Sequence, residues 1–256
     1  MKLYVSNLSF MGFHMKVMKN IPKDVGIDIF IECGNDYYWK HHLVNCMMGR
    51  SFPVSLHGPC MNMDLSKASV CDEEIQKNFL WACDLGRELG AKDIVMHPFE
   101  GPAMEEPAAE RERSTRRLQW LAGCAKDCGF KLLIENVPGI DLPYAIFNQK
   151  QFFALFDLIP DADFILDTGH AHMCGWDIPK VIEDHKDRLR SYHLHDNDGT
   201  RDSHDFLGDG TIDWTVVVPT ICRCTPEAQL ILEYSRKTID SVLENISMVK
   251  QLFSLV

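Results

Sequence analysis

Two stretches of the chain follow the same plan: RELGAKDIVMH at residues 87–97 and KDCGFKLLIE at residues 126–135. Each one ends a helical pattern at a glycine, Gly90 or Gly129, and enters a short apolar run a few residues later. A glycine in this place is typical of a left-handed C-terminal helix cap. A helix that passes so quickly into a buried strand indicates the repeating unit of an α/β fold.

Short apolar runs of this kind recur along the whole chain, with amphipathic helical patterns between them. The eight runs are Leu3–Ser6, Ile27–Glu32, Val54–His57, Ile94–His97, Leu132–Glu135, Phe164–Asp167, Tyr192–His195 and Leu230–Glu233. Each has the length and composition of a buried parallel strand. The alternation predicts one α/β domain over residues 1–256, a single (β/α)8 TIM barrel. An open doubly wound sheet is less well supported, because no G-x-G-x-x-G motif follows an early strand.

The charge of the chain restricts its partners. Its 256 residues include 26 Lys and Arg and 37 Asp and Glu, a net charge of −11. Such a charge repels nucleic acid and anionic membranes at long range. No apolar run approaches the ~20 residues that span a bilayer. The N-terminus enters a strand pattern directly, and the ten cysteines are scattered. We therefore expect a cytoplasmic protein with reduced thiols.

Potential metal ligands or acid/base groups lie at or near the ends of most predicted strands. They are Glu32, His57, His97, Glu135, Asp167, His193 and Glu233. A single carboxylate of this kind often serves only the N-terminus of the following helix. The carboxyl ends of barrel strands, however, all meet at one mouth, where the active sites of this fold lie. Packing alone does not require a polar group at nearly every strand end.

Two loops add further candidates to the same mouth. FILDTGHAHMCGWD at residues 164–177 places His170 three residues after Asp167. SYHLHDNDGTRDSHDFLGDGTIDW at residues 191–214 places Asp202 and His204 in a glycine-bounded loop after a strand that contains His193. Imidazole and carboxylate groups are ligands that Zn, Mn and Fe accept. The competing interpretation of the second loop is a solvated acidic segment.

Taken together, these motifs resemble the xylose isomerase-like TIM barrel superfamily, which holds sugar isomerases and epimerases and the endonuclease IV nucleases. LHGP, VMHP, LLIEN, LDTGHA, HLHDN, DSHDFLGDG and LILE occur in the order of that family. The resemblance implies one to three divalent ions, Mn or Zn. Three ion sites are implied: Glu135, Asp167, His193 and Glu233; His57 and His97 sharing Glu135; and His170, Asp202 and His204.

The resemblance also implies an activity, a metal-dependent isomerase or epimerase acting on a small carbohydrate or sugar phosphate. Glu135 and Glu233 are then the acid/base pair on opposite faces of the sugar, and His170 contacts the substrate as a third catalytic residue. A metal-polarised carbonyl makes the neighbouring C–H acidic enough for a glutamate to remove its proton. Substrate-binding roles are predicted for Trp39, Trp176 and His195. The oligomeric state stays open, a homo-oligomer included.

Two alternatives remain at this point. An endonuclease IV-like phosphodiesterase is supported by the presence of all nine implied ligands. The loops Gly34–Trp39 and Gly58–Met61 lack the basic residues with which those nucleases grip DNA, so the sequence does not favour nucleic acid as a partner. The other alternative is a sugar-binding barrel without catalysis. Because four carboxylates converge, we expect an ion-free site to be loose or to have raised carboxylate pKa values.

Overall fold

The strands of the computed structural model form a closed barrel. The structure describes residues 1–10, 15–33, 38–39, 54–61, 63–141 and 145–255. Within these ranges the strands are β1 (Lys2–Ser6), β2 (Gly26–Phe30), β3 (Val54–His57), β4 (Asp93–Met96), β5 (Lys131–Glu135), β6 (Ala162–Asp167), β7 (Leu189–Leu194) and β8 (Gln229–Leu232). Neighbours in the chain pair in parallel, and β8 closes on β1. The predicted (β/α)8 barrel is confirmed.

Helices follow most of the strands and cover the outside of the barrel. Those in the described ranges are α1 (Asp72–Leu89), α2 (Pro107–Cys128), α3 (Gln149–Leu158), α4 (Thr168–Met173), α5 (Ile178–His185), α6 (Trp214–Cys224) and α7 (Ile239–Leu252). The first two end at Gly90 and Gly129, with φ of 77° and 83°, as the two repeated stretches predict. None of the described helices is both long and apolar enough to cross a membrane.

Several strands end earlier than their apolar runs. The runs extend one or two residues past β2, β4, β7 and β8. Glu32, His97, His195 and Glu233 therefore begin the loops after these strands instead of ending the strands. Their side chains still start at the carboxyl edge of the barrel, so the predicted convergence at one mouth survives this change of boundary.

The barrel is filled by a small apolar cluster that is separate from the large core between sheet and helices. It consists of Tyr4, Val95, Leu133, Ile165 and Ile231, each at most 2% exposed. Because strand side chains alternate between faces, a residue two positions further along points to the same side. Leu133, Ile165 and Ile231 precede Glu135, Asp167 and Glu233 by two positions. The apolar cluster therefore forms the floor beneath the polar mouth.

Candidate functional site

Three groups of donor side chains meet at the mouth. The first cluster consists of His57, His97 and Glu135. Nε2 of His57 lies 3.2 Å from Nε2 of His97, and Oε2 of Glu135 lies 3.3 Å from each. Ligands at about 2.0–2.1 Å from one tetrahedral zinc ion lie about 3.3 Å apart. Oε2 of Glu135 is buried and makes no hydrogen bond within the described residues. These observations fit a divalent ion at the first cluster.

The second cluster shares Glu135 and adds Asp167, His193 and Glu233, all at most 3% exposed. Oε1 of Glu135 lies 3.2 Å from Nδ1 of His193. The same nitrogen lies 3.6 Å from Oε2 of Glu233 and 4.0 Å from Oδ2 of Asp167. Among the described residues, neither nitrogen of His193 has a hydrogen-bond partner. The two oxygens of Glu135 thus face different clusters, which is the arrangement of a carboxylate that bridges two ions.

The third cluster consists of His170, Asp202 and His204. Oδ2 of Asp202 lies 3.2 Å from Nε2 of His170 and 3.1 Å from Nε2 of His204. His195, predicted to bind substrate, joins this group instead: its ring stacks on His204 with centroids 3.9 Å apart. Its Nε2 lies 3.0 Å from Oδ2 of Asp167, and the residue is 0% exposed. His195 therefore lies behind the donor atoms, not on the wall that a substrate would touch.

Most of the histidines are oriented in the same way. Nδ1 contacts an oxygen acceptor outside the cluster, which leaves Nε2 directed at the donor atoms. This second contact fixes the ring and the tautomer in metal-binding histidines. It joins His57 to the carbonyl of Gly58 (2.8 Å), His170 to that of Asn136 (2.9 Å), His204 to that of Glu233 (2.7 Å), and His97 to the carboxylate of Glu100 (3.1 Å).

The loop that carries Asp202 and His204 is built around Asp196, directly after β7. Backbone atoms of Asp196 and Asp205 exchange two hydrogen bonds of 3.0 and 2.9 Å, which close the loop on itself. The buried carboxylate of Asp196 accepts from three backbone N–H groups and from the indole of Trp214. His204 has a φ of 48°, a left-handed conformation that histidine adopts more readily than most residues. The loop is thus an ordered support, not a solvated segment.

The pKa values of three carboxylates at the mouth are lowered, and not raised as the sequence led us to expect. Burial raises the pKa of Glu135, but the charges of His193 and His97 and a hydrogen bond from His170 outweigh it, leaving this pKa well below its usual range. Burial lowers the pKa of His193, yet Glu135 and Glu233 raise it to about 10. The pKa values of Asp167 and Asp202 are also lowered, because neighbouring histidines outweigh burial.

A cavity of about 240 Å³ opens over these clusters. Its polar wall comes from His57, His97, Glu100, Glu135, His170, Asp202, His204 and Glu233. Its apolar wall comes from Leu8, Phe30, Phe99, Val137 and Pro138. Within the described part of the chain no lysine or arginine lines it. The cavity accordingly suits a small, polar and uncharged molecule better than an anion.

The two predicted tryptophans are not brought to this cavity. Trp176 packs against Phe152 and Phe153, and its Nε1 donates to Asp141 at 3.1 Å. Trp39 is 9% exposed and donates to the backbone carbonyl of Glu32 at 2.7 Å. Neither residue lines the cavity. Both tryptophans fill the space between loops and barrel, a role that the sequence could not separate from stacking on a sugar.

One contributor to the site was missed in the sequence, and one predicted candidate lies outside the donor clusters. Cys60, in a loop read only as apolar, has its Sγ 3.5 Å from Nδ1 of His97. In the sequence, the spacing of three residues between His57 and Cys60 could have indicated that the two lie close together. Glu32 is not a member of any donor cluster; its carboxylate accepts from the backbone N–H groups of Cys60 and Met61. Residues 34–37 of the other loop compared with the nucleases lie outside the described residues.

The fold and the site define a (β/α)8 barrel with a shared metal-donor set at its carboxyl mouth. Residues 28–252 match the family model of the xylose isomerase-like TIM barrel, and the chain belongs to this family. Three solved structures illustrate the likeness. A D-tagatose 3-epimerase-like protein is 19% identical with a TM-score of 0.81, over 100% of this chain and 98% of that chain.

The second solved structure is an IOLI protein with a bound zinc atom, 17% identical with a TM-score of 0.81, over 99% of this chain and 98% of that one. The third is an AP endonuclease of family 2 from Brucella melitensis, 14% identical with a TM-score of 0.76, over 97% of this chain and 99% of that one. At these identities the likeness establishes the fold alone. Proteins named as epimerase-like and as an AP endonuclease thus share this fold.

Proposed function

We propose that the chain is a divalent-metal-dependent isomerase or epimerase of small sugars. The observation that carries the proposal is the pair Glu135 and Glu233, at the ends of β5 and β8. Both are nearly fully buried, both line the same small cavity, and both contact His193 of the second cluster. Two carboxylates that share one ion position and one cavity can act on the same carbon centre.

The second cluster would hold the ion through Glu135, Asp167, His193 and Glu233. This donor set, one imidazole and three carboxylates, suits manganese as well as zinc. The orphaned nitrogen of His193 and its short approach to Glu135 support this fit. When bound, the ion supplies Lewis acidity that polarises a sugar carbonyl and stabilises the negative charge that forms beside it.

The two glutamates would then exchange protons with carbon. The lowered pKa of Glu135 keeps its carboxylate ionised at neutral pH, which is the state of a base that removes the C–H proton. Glu233, which approaches the same His193 nitrogen as Glu135, would return a proton to the opposite face. Return to the same carbon gives epimerisation, and return to the neighbouring carbon gives aldose–ketose isomerisation. His170, which also lines the cavity, would orient a substrate hydroxyl through Nε2.

The wall of the cavity supports a neutral monosaccharide over a charged substrate. Its volume of about 240 Å³ lies below the range of about 300–1,000 Å³ that holds drug-sized ligands. Phe30 and Phe99 offer apolar faces, while Glu100 and Asp202 add negative charge at the rim. The net charge of −11 also disfavours an anionic polymer.

A second candidate, a phosphodiesterase of the endonuclease IV kind, is favoured by one observation. All nine candidate ligands lie in three adjacent clusters, and Glu135 faces two of them. Two or three ions held close together can stabilise the attacking and leaving oxygens of a phosphodiester. The absence of basic residues from the described cavity wall speaks against this candidate.

Solvent deuterium exchange separates these functions. With Mn²⁺ or Zn²⁺, the wild-type protein should exchange a substrate C–H for deuterium on at least one member of a panel of aldoses and ketoses. Glu233→Gln should lower that rate by about 10²–10⁴-fold. Glu227→Gln, the same change on an exposed turn before β8, should leave it unchanged.

Cleavage of abasic duplex DNA at enzyme-like rates, without exchange on any sugar, would replace the isomerase by the phosphodiesterase. Nuclease rates should also fall steeply as salt rises. Sugar binding without exchange or cleavage would instead support a binding barrel.

A further inference from the structure

A buried carboxylate, Asp28 on β2, lies inside the barrel below the mouth. A Cβ at Gly26 would meet the ring of Tyr4, which belongs to the apolar floor, so this side of β2 faces the interior. Strand side chains repeat every two residues, and Asp28 and Phe30 therefore point to the same side. Phe30 lines the cavity, so Asp28 lies one step beneath the cavity wall, where it is fully buried.

The carboxylate of Asp28 lacks the partner that a buried acid normally has. Neither of its oxygens makes a hydrogen bond within the described residues. The hydroxyl of Ser55, its neighbour on β3, donates to Asp93 at 3.4 Å instead. A buried polar group without a hydrogen bond costs free energy, so a donor or a positive group is expected beside Asp28.

Two observations place His193 on β7 near this carboxylate. The ring centroid of Phe30 lies 4.4 Å from that of His57, and the ring of His57 stacks on that of His193 with centroids 5.7 Å apart. Burial raises the pKa of Asp28, and the charge of His193 is the largest of the effects that lower it. A buried acceptor without a donor thus lies near an imidazole.

The two nitrogens of His193 differ in their surroundings. Nδ1 faces the second cluster, 3.2 Å from Oε1 of Glu135 and 3.6 Å from Oε2 of Glu233. Nε2 is buried and has no hydrogen-bond partner in the described part of the chain. Most histidines of the other two clusters direct Nε2 at the donor atoms, so His193 is turned the opposite way. A neutral imidazole that binds an ion through Nδ1 carries its proton on Nε2, and this proton needs an acceptor.

We propose that Asp28 is a positioning residue for the ion site of the second cluster: its carboxylate accepts the Nε2 proton of His193 and so leaves Nδ1 to the ion. A direct hydrogen bond after a small rotation, or one shared water, makes this link, and both keep the proton on Nε2. Carboxylates in this place fix the ring of a metal-binding histidine and raise its basicity. The inference rests on the ion site of the proposed function and not on the reaction that follows.

Nitrogen-15 NMR of the zinc-loaded protein reads the position of this proton directly. Full-length protein with ¹⁵N-labelled histidine is loaded with Zn²⁺, and the ring signals of His193 are identified by their loss in His193→Gln. The wild-type protein should show a proton on Nε2 that exchanges slowly with water, and none on Nδ1. In Asp28→Ala the signal of that proton should be lost through fast exchange, whereas Asp28→Asn, which keeps an acceptor oxygen, should retain it.

Calorimetric titration with Zn²⁺ provides a second measurement. Asp28→Ala should weaken one zinc-binding step by about 10–100-fold, and Asp28→Asn should weaken it less. Asp93→Ala is the matched control, because it removes another buried carboxyl group of the barrel interior, one that accepts from Ser55 and from Gln229. It should leave every zinc-binding step unchanged.

The outcomes separate this inference from the proposed reaction. Zinc binding by the wild-type protein with the proton of His193 on Nδ1 would overturn the role of Asp28 and leave the reaction standing. Equal zinc affinity of the wild-type protein and Asp28→Ala would do the same. The expected effects of Asp28→Ala without exchange on any sugar would reject the reaction and support the inference. A wild-type protein that binds no zinc would reject both.

Discussion

Replacing Asp196 by asparagine is expected to open the loop that carries the third cluster. Each oxygen of this buried carboxylate accepts two hydrogen bonds. Oδ1 accepts from the backbone N–H of Asn197 at 2.9 Å and of Ile212 at 3.2 Å. Oδ2 accepts from the backbone N–H of Gly208 at 2.9 Å and from Nε1 of Trp214 at 2.8 Å. Four donors thus depend on one side chain, which bears no donor of its own.

The expected loss of loop stability follows from the number of these hydrogen bonds. Asparagine keeps one carbonyl oxygen and presents an NH₂ group where the other oxygen stood, so two donors lose their acceptor and face another donor. Hydrogen bonds to a charged group contribute about 1.5–3 kcal/mol each. Asp196→Asn should therefore destabilise the closed loop by about 3–6 kcal/mol. Global unfolding should change by less, because the loop can open by itself.

Asp198 provides the matched control. It lies two residues further along the same loop, is exposed, and accepts hydrogen bonds from the N–H and the hydroxyl of Thr200, two residues away. Asp198→Asn should change the free energy of unfolding by no more than about 0.5 kcal/mol. Urea unfolding measures the global effect, and hydrogen exchange of the loop amides measures the local one. Because Asp202 and His204 lie on this loop, Asp196→Asn should also lose one ion-binding step. Equal behaviour of the two variants would refute the reasoning.

Three further predictions concern Glu135 between two clusters, the close packing at Gly169, and the buried carboxyl group of Asp93. Glu135→Gln should remove two ion-binding steps in calorimetry, whereas His57→Ala should remove one, because the oxygens of Glu135 face two clusters. Gly169→Ala should destabilise the fold by about 1–3 kcal/mol in urea, since its Cβ would lie 2.0 Å from a neighbouring imidazole carbon; Gly123→Ala, with nothing within 4 Å, should be neutral or stabilising. Burial raises the pKa of Asp93 from 3.8 to about 6. The folded protein therefore holds this proton more tightly than the unfolded chain does. About 3 kcal/mol of stability that is present below pH 4 should be lost as pH rises through 6. Asp93→Asn should remove this dependence of stability on pH, and an unchanged dependence would contradict the assignment.

The fold and the convergence of polar strand ends could be predicted because they depend on local pattern and topology, whereas the full set of nine candidate donors came from the family resemblance. Glu135 and Asp167 end strands whose register is set by alternating apolar residues, and parallel strands in a barrel deliver their ends to one place. The D-x-H spacing of Asp202 and His204 indicated a metal-binding loop, but their grouping with His170 was implied only by the family resemblance. Nothing in these inferences required knowledge of how a loop folds.

The contributions that were missed depend on tertiary contacts. Cys60 approaches His97 across a loop, and Asp196 collects donors as far as Trp214, 18 residues along the chain. The spacing of residues along the chain does not predict such tertiary contacts. The substrate-binding role predicted for Trp176 depended on tertiary contacts in a different way. Its aromatic ring suits both stacking on a sugar and packing in an apolar layer, and its contacts with Phe152 and Phe153 show that it packs in the layer.

Histidines offset part of the carboxylate charge at the mouth. Four carboxylates in one site would repel each other strongly if nothing opposed them. Here the candidate ligands also include five histidines, and neighbouring carboxylates raise the pKa of His193 to about 10 and that of His204 to about 9. These imidazoles lie 3.2 Å from Glu135 and 3.1 Å from Asp202, so opposite charges offset the repulsion between carboxylates. A cation can enter only as these imidazoles release their protons, because a protonated nitrogen cannot bind metal. Ion affinity should accordingly fall as pH falls, while the barrel stays folded.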